Sequence, residues 1–376
     1  MKKPKQLTNG IILAPNRLIA MVLMLIDKVG ALLRRRRQRP SRIDNVLLVF
    51  FGAFGDGLMF TSILKSLRHH MPQARVDVLA SKDVGAVLSG CPYISNVFVT
   101  DMPSGKKYPS RVPGLVNTLR GLGITYDIAL CFRSAIDNGV LPLFLSGISR
   151  YNVGFSTGGF SFCLDEVVRW RSGIHETEHF LDVVQTICPQ CQLGPQQLFY
   201  DRETVRRSLD QKLKAVGISK VSDFVVVHPG SKVMRRSLSI DRWRKILTDI
   251  VEKTEKVILI TGISTEKTFY DSIGINHVRI IPTFGSFSIP ELAELIARSS
   301  GVVTVETFVS HLAGTTGVPT IAFWSGATDP RQWHPVGEKV TLAAVSPPCS
   351  PCFKWCSKPI CMEHDPQIVA EILVAK

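Results

Sequence analysis

From Asn45 onward, short apolar runs rich in β-branched residues alternate with longer amphipathic stretches. In the first half of the chain, the apolar runs predict strands at 45–50, 75–79, 96–100 and 127–131. The stretches between and after them predict helices at 57–71, 84–89, 109–121 and 176–187. Residues 147–174 follow neither pattern and are interpreted as irregular. Nearly continuous apolar strands are typical of a parallel sheet that helices cover on both faces.

A second series of the same kind begins after a charged stretch at 201–215. Its apolar runs predict strands at 223–228, 256–260, 278–281, 301–305 and 319–323. Its amphipathic stretches predict helices at 240–252, 264–273, 289–299, 308–315 and 366–374. The fold class is therefore α/β, with parallel sheets in Rossmann-like domains at 45–205 and 206–362 and a C-terminal helical segment at 363–376. Two such domains predict a cleft between them, with ligands at the carboxyl ends of the strands.

The composition indicates a folded chain whose N-terminal segment is far more basic than the rest. The chain has 376 residues, 45% of them apolar and 20% charged, which excludes wholesale disorder and suits two domains. Residues 1–44 hold eleven Lys and Arg against two Asp, which gives +9 of the formal net charge of +14. Most of the basicity therefore belongs to an N-terminal extension.

The extension at 1–44 combines an apolar run with a block of arginines. Residues 18–26 are continuously apolar, which is too short for the ~20 residues of a membrane span. Arg34–Arg37 follow, and no small-residue cleavage site indicates a secretory signal. We expect a helix lying on an anionic membrane surface; the alternative is a helix packed on the body with a solvated basic linker. No aromatic residues interleave with the arginines, so nucleic acid is not expected as a partner.

The first strand leads into a glycine-rich loop that carries an acid. Gly52, Gly55 and Gly57 surround Asp56, and glycines let a ligand approach the backbone closely. The order G-x-x-G-x-G differs from the dinucleotide fingerprint, and no acid ends the second strand, so a dinucleotide oxidoreductase is disfavoured. Asp56 is a candidate general base at the cleft. The alternative is an Asp that caps the following helix.

The second domain has polar groups at two strand ends. Gly230 and Ser231 follow the strand at 223–228, and Lys232 and Arg236 precede the next helix, which together suit a diphosphate; the alternative is an ordinary basic loop. The segment 306–311 (ETFVSH) follows the strand at 301–305 and is expected to line the cleft. No D-x-D pair that would hold a metal-bound diphosphate ends a strand in either domain.

Four cysteines near the C-terminus have spacings compatible with a structural metal site. They lie in a proline-interrupted loop and are Cys349, Cys352, Cys356 and Cys361. The alternative is reduced, packed thiols in a reducing compartment. Cys188 and Cys191 lack the strand-then-helix context of a redox site and are interpreted as part of a loop.

Taken in order, three segments and the Cys-rich tail resemble glycosyltransferase family 9, which contains the ADP-heptose:lipopolysaccharide heptosyltransferases. The segments are NVLLVFFGAFGDGLMFTSILKSLRHHMPQARVDVLAS at 45–81, VVVHPGSKVMRRSLSIDRWRKIL at 225–247, and ELAELIARSSGVVTVETFVSHLAGTTGVPTIAFWSGATDPRQWHP at 291–335. The resemblance covers about 45–372. It implies a GT-B fold, in which two Rossmann-like domains face each other across the cleft, the N-terminal one for the acceptor and the C-terminal one for the nucleotide sugar.

The resemblance also implies roles for single residues. Asp56 takes the position of the base that deprotonates the acceptor hydroxyl, and the glycines around it belong to the acceptor-side loop. Donor-binding positions fall on Gly230, Ser231, Lys232, Arg236, Glu266, Glu306, Thr307 and His311. Glu266 matches an acid that contacts the ribose. Leu238 and Ser239 replace the family's Trp-Pro, and Glu306 and Phe308 replace the Asp and Gly of D-T-G-x-x-H.

The function implied is an inverting, metal-independent transfer of heptose or a related sugar. The donor is a nucleotide-diphosphate sugar such as ADP-heptose, no cofactor is required, and the acceptor is a lipid-linked glycan of the lipopolysaccharide core or a related surface glycan. The enzyme is expected in the cytoplasm, peripheral on the cytoplasmic face of the inner membrane. Because Phe308 stands where glycine admits the donor, the alternative is a non-catalytic nucleotide-sugar-binding homologue or scaffold.

Overall fold

A computed structural model describes most of the chain from Asn45 onward and only parts of the N-terminal extension. The described residues are 25, 28–30, 32, 37–101, 108–133, 139–155, 160–218, 224–231, 233, 236–352 and 360–369. Within them the chain forms two compact units, Met1–Phe199 and Tyr200–Lys376. Each unit has its own sheet and is described by itself.

Unit 1 is built on six parallel strands in the order β3-β2-β1-β4-β5-β6. The strands are β1 (Asn45–Phe50), β2 (Arg75–Ala80), β3 (Asn96–Val99), β4 (Ile128–Cys131), β5 (Asn152–Phe155) and β6 (Glu166–Val168). The helices are α1 (Phe54–His70), α2 (Lys82–Leu88), α3 (Tyr108–Gly121), α4 (Val140–Ser146) and α5 (Glu176–Gln185). The direction of winding reverses between β1 and β4, where open α/β sheets bind ligands.

Unit 2 repeats the arrangement with the strand order β12-β11-β10-β7-β8-β9. The strands are β7 (Phe224–His228), β8 (Val257–Ile260), β9 (Ile280–Pro282), β10 (Gly301–Val305), β11 (Thr320–Trp324) and β12 (Val340–Ala344). The helices are α6 (Arg202–Ala215), α7 (Ile240–Lys253), α8 (Lys267–Asp271), α9 (Ile289–Arg298), α10 (Phe308–Gly314) and α11 (Pro330–Trp333). All pairings are parallel, and the reversal lies between β7 and β10. The predicted α/β fold class, with two Rossmann-like units built on parallel sheets, is confirmed.

The nine predicted strands are confirmed to within two residues at each end, but the prediction for 147–174 is wrong. That segment contains β5 and β6, and β12 was also not predicted. β5 is only four residues long and includes Gly154, where an added Cβ would lie 2.8 Å from the carbonyl oxygen of Cys131. Close packing against β4 therefore requires the residue type that weakens a strand signal.

The helices also differ from the predictions, and those at Val140–Ser146 and Pro330–Trp333 were not predicted. The charged stretch at 201–215 is helix α6, whose buried residues are Leu209 and Leu213. The predicted helix at 264–273 is shorter: a 3₁₀ turn at Ser264–Glu266 precedes α8. Of the predicted helix at 366–374, residues 367–369 are helical and residues 370–374 lie outside the described residues.

Residues described in the N-terminal extension touch unit 1. Gly30 lies against Phe162, where a Cβ would come within 2.5 Å of the ring, and Arg37 donates to the carbonyl of Ser149 at 2.9 Å. Leu25 and Leu32 are exposed. Residues 1–24, which hold most of the predicted surface helix, and Arg34–Arg36 lie outside the described residues. No helix in the described parts of the chain is long and apolar enough to cross a membrane.

Candidate functional site

In unit 1, Asp56 lies in the first turn of α1 and not on the loop before it. The helix begins at Phe54, three residues earlier than predicted. One oxygen of Asp56, Oδ2, accepts a hydrogen bond from the backbone N–H of Ala53 at 2.9 Å. The carboxylate thus supplies a partner for a helix-start N–H that the helix itself leaves unsatisfied. The capping interaction is therefore present, and it fixes the same carboxylate that is the candidate base.

Gly52 leaves room for this carboxylate because it has no side chain. A Cβ at Gly52 would lie 2.7 Å from Cβ and 2.9 Å from Oδ2 of Asp56. The Gly52 backbone is tied to the end of β2, since the Ser81 hydroxyl donates to its carbonyl at 2.6 Å. Gly55 is buried within α1, and Gly57 packs against Val84 of α2. Of the three predicted loop glycines, Gly52 alone lies in the loop itself.

Arg133 is a residue that the sequence analysis missed. It follows β4, and its Nη1 lies 3.4 Å from Oδ2 of Asp56 in an ion pair. The Asp56 side chain is 18% exposed and that of Arg133 is 30% exposed. β1 and β4 are neighbours in the sheet, so both residues stand at the reversal point of unit 1. The sequence signal that could have identified Arg133 is a basic residue two positions after an apolar strand.

In unit 2, the loop after β7 brings together two predicted donor residues. A Cβ at Gly230 would lie 2.4 to 2.6 Å from the carboxylate atoms of Glu266, so a larger residue here would force this carboxylate to move. Glu266 also accepts from the backbone N–H of Ile263 at 3.0 Å. Ser231 is buried, and its hydroxyl accepts from the backbone N–H of Val233 at 3.3 Å. Lys232 lies outside the described residues.

His228 ends β7 beside this loop. Its Nδ1 lies 3.1 Å from the hydroxyl of Thr261, at the end of β8. Burial lowers the pKa of His228 to about 4, so the imidazole is neutral at pH 7. The ring therefore contributes polar atoms but no positive charge to this edge of the sheet.

Arg236 and Glu306 form an ion pair across the reversal point of unit 2. Nη1 of Arg236 lies 3.1 Å from Oε1 of Glu306. Glu306 also accepts from the hydroxyls of Ser325 and, at 2.8 Å, Thr328. Burial raises the pKa of Glu306 and outweighs the opposing effects of Arg236 and the hydroxyls. Nε of Arg236 is buried without a hydrogen-bond partner among the described residues.

Thr307 precedes α10 as its N-cap and His311 lies within α10, which follows β10 in the chain. The Thr307 hydroxyl caps this helix by accepting from the backbone N–H of Val309 at 3.2 Å. His311 is buried one turn later, with its ring edge-on to Trp324 at 6.3 Å between centroids. Phe308 is the first residue of the helix and is partly buried. The residues of the predicted donor motif thus surround one helix start.

The predicted cysteine cluster is only partly described. Cys349, Cys352 and Cys361 have free thiols, and Cys356 lies outside the described residues. Among the described residues, no three His, Cys, Asp or Glu side chains are placed to hold a metal ion. Elsewhere, the thiols of Cys188 and Cys191 lie 2.8 Å apart in the turn after α5.

The sequence His175-Glu176-x-x-His179 has the spacing of a zinc motif but a different role here. The Nδ1 atom of His175 accepts from the backbone N–H of Thr177 and caps α5. His179 instead bonds to Glu176 at 3.0 Å and stacks on Trp170, with 3.7 Å between ring centroids. These contacts direct the two imidazoles to different partners, and they pack α5 against the sheet of unit 1.

Comparison with known proteins identifies the family. Residues 118–360 match the sequence model of glycosyltransferase family 9 (heptosyltransferase), which is more than half of the chain. Lipopolysaccharide heptosyltransferase 3 of Escherichia coli is 22% identical over 306 residues, covering 76% of this chain and 83% of that protein.

Two solved structures share the fold. A glycosyl transferase family 9 protein from Veillonella parvula superposes with a TM-score of 0.74 at 16% identity, covering 90% of this chain and 99% of that one. ADP-heptose lps heptosyltransferase II of Escherichia coli gives 0.67 at 16% identity, covering 89% and 98%. The chain therefore belongs to glycosyltransferase family 9, the heptosyltransferase family, and is a glycosyltransferase.

Proposed function

We propose that this glycosyltransferase moves heptose or a related sugar from a nucleotide-diphosphate donor to the lipopolysaccharide core or a related surface glycan. The observation that carries the proposal is the placement of Asp56 at the reversal point of unit 1, half-buried and oriented by Ala53 and Gly52. A carboxylate held in this way suits a general base. The names of the relatives, which are lipopolysaccharide heptosyltransferases, support the substrate class.

The proposed reaction is a single displacement with inversion at the anomeric carbon. Asp56 takes the proton of the acceptor hydroxyl while its oxygen attacks the anomeric carbon, and the bond to the diphosphate breaks on the opposite face. The charge that develops on the leaving diphosphate is stabilised by the amides of Gly230 and Ser231, by Arg236 and by Lys232. In this scheme these groups stabilise the negative charge of the leaving diphosphate, and the reaction does not require a metal ion or other cofactor.

The pairing of Arg236 with Glu306 has a consequence for donor binding. Because one Nη of the guanidinium already contacts a carboxylate, a diphosphate either shares the guanidinium through other N–H groups or displaces Glu306. The buried Nε is a donor ready for such a contact. Glu266, against Gly230, is proposed to hold the ribose, and Thr307 and His311 to complete the donor site. Phe308 in place of glycine is proposed to alter the preference for the sugar.

For localisation, we propose a cytoplasmic enzyme held on the cytoplasmic face of the inner membrane by the basic extension. Arg37 and Arg39 contact other parts of unit 1 and Arg42 pairs with Asp44, and the other basic residues of 1–44 are proposed to face the anionic headgroups. Deleting 1–42 should abolish sedimentation with anionic vesicles, whereas neutral vesicles should bind neither form. Equal sedimentation of the truncated and full chains with anionic vesicles would refute the anchor.

The test of function is turnover of ADP-, GDP- and UDP-sugars with core-deficient lipopolysaccharide, measured as nucleoside diphosphate released. Asp56→Asn should lower kcat by about 10²- to 10⁴-fold, the usual contribution of a general base, and leave nucleotide binding, measured by thermal shift, unchanged. Activity that survives EDTA would support a metal-independent reaction, and NMR of the product linkage would report inversion. If no donor is turned over although nucleotides bind, the proposal is replaced by a non-catalytic nucleotide-sugar-binding homologue.

A further inference from the structure

We infer that Arg133 is a positioning residue for the base Asp56, an inference that rests on the proposed function. Arg133 is two residues beyond Cys131, the last residue of β4, and Cys131 pairs in register with Val49 of β1. The chain therefore leaves both strands at the same edge, and the guanidinium reaches the carboxylate across the reversal point of the sheet.

The contact involves the oxygen that the helix start already holds. Oδ2 of Asp56 accepts from Ala53 at 2.9 Å and lies 3.4 Å from Nη1 of Arg133. The backbone N–H and the guanidinium both contact this oxygen, so each of them helps to hold the carboxylate in its orientation. Because 3.4 Å is at the long end of hydrogen-bond distances, the interaction is mainly charge attraction with an orienting effect.

The charges also suit the reaction step. A general base must be ionised before it accepts a proton, and Arg133 places a cation beside this carboxylate. Both side chains are partly exposed, so solvent screens the attraction and its contribution to overall stability is small. The effect of losing Arg133 should therefore be seen in catalysis more than in folding.

The test compares Arg133→Met, Arg133→Lys and a matched control in the full chain. The assay uses whichever sugar nucleotide of the ADP, GDP and UDP panel is turned over, with core-deficient lipopolysaccharide as acceptor. Arg133→Met should lower kcat by roughly 30-fold, from a misplacement of less than 1 Å, with donor KM within twofold of wild type. Arg133→Lys should recover most of the loss because it retains the charge. The control is Arg171→Met, which removes an ion pair with Asp182 elsewhere in unit 1 and should not change kcat.

A double variant separates positioning from an independent role. If Arg133 acts through Asp56, Asp56→Asn combined with Arg133→Met should be no slower than Asp56→Asn alone. A further loss in the double variant would overturn the inference. A rise in donor KM without a fall in kcat, or a kcat within threefold of wild type for Arg133→Met, would also overturn it.

A crystal structure of Arg133→Met tests the inference without reference to activity. The expected result is an Asp56 carboxylate rotated away from the Ala53 N–H or present in two orientations. A carboxylate in the wild-type position would overturn the positioning role even if the proposed function fails. An active wild type with an unaffected Arg133→Met refutes the inference alone, whereas a wild type inactive with every donor refutes the proposed function.

Discussion

Gly52→Ala should slow transfer by displacing Asp56. An alanine Cβ would lie 2.7 Å from Cβ of Asp56, whereas ordinary van der Waals contact begins near 3.4 Å. The atom it meets is at the root of the Asp56 side chain, next to the backbone of α1, so a simple rotation of the carboxylate does not relieve the clash. The loop and the helix start must separate by about 0.7 Å.

That displacement sets the size of the expected effect. Misplacing a catalytic group by about 1 Å can cost 10²-fold in rate, so a shift of about 0.7 Å predicts roughly a 30-fold fall in kcat. The donor site of unit 2 is not changed, and the midpoint of a nucleoside diphosphate titration followed by thermal shift should stay at its wild-type value. Nucleoside diphosphate release at saturating donor and acceptor measures kcat directly.

The control is another Gly→Ala change in the same unit. Gly114 lies in α3, and an added Cβ there meets no atom within 4 Å. Gly114→Ala should stabilise unit 1 by about 0.5–1 kcal/mol through helix propensity and leave kcat unchanged. A Gly52→Ala enzyme that is folded and turns over within threefold of wild type would refute the steric reasoning. An equal loss in both variants would show that the assay reports general damage.

Three further predictions concern donor binding, folding and pH. Gly230→Ala forces a Cβ against the Glu266 carboxylate and should raise donor KM about tenfold with little change in kcat, which initial-rate kinetics will show. Asp77→Ala removes a fully buried carboxylate that accepts from Tyr126 and Asn96, and should cost unit 1 about 3 kcal/mol in urea unfolding; a loss below 1 kcal/mol contradicts this. The pKa of His228, lowered by burial to about 4, means that the unfolded chain binds a proton first as pH falls below 6.5. The stability of unit 2 should drop by up to about 1.4 kcal/mol per pH unit between pH 6.5 and 4, and His228→Gln should flatten this slope.

The strands and helices that are most completely buried were predicted most accurately from the sequence. β1 and β10 are almost entirely apolar because helices cover both faces of the sheet, and both ends of each strand were predicted to the residue. The helical structure of α6 could not be predicted in the same way, since only Leu209 and Leu213 of its fourteen residues are buried. A helix held mainly by charged contacts carries almost no apolar periodicity.

In the candidate site, single residues could be predicted from the sequence, but the ion pairs between them could not. Asp56 and Gly230 follow directly from their position after a strand, where a carboxylate or a glycine is noticeable in the sequence alone. The two ion pairs of the site could not be predicted from position alone. Arg236 meets Glu306 70 residues later, and Arg133 meets Asp56 from another strand. Such pairs depend on strand order and side-chain reach, which a linear pattern does not contain.

The two units share one steric arrangement, a glycine in contact with a carboxylate, for which we propose two different roles. In each, a glycine after the first strand of the sheet lies against a carboxylate: Gly52 against Asp56, and Gly230 against Glu266. Asp56 lies in the helix that directly follows Gly52, so the Gly52 backbone and the Asp56 carboxylate move together and the proposed base keeps its position. Glu266 follows the next strand, β8, so its distance from Gly230 depends on the packing of two loops. Under the proposed function, a donor that separates these loops would therefore adjust the ribose contact without moving the proposed base.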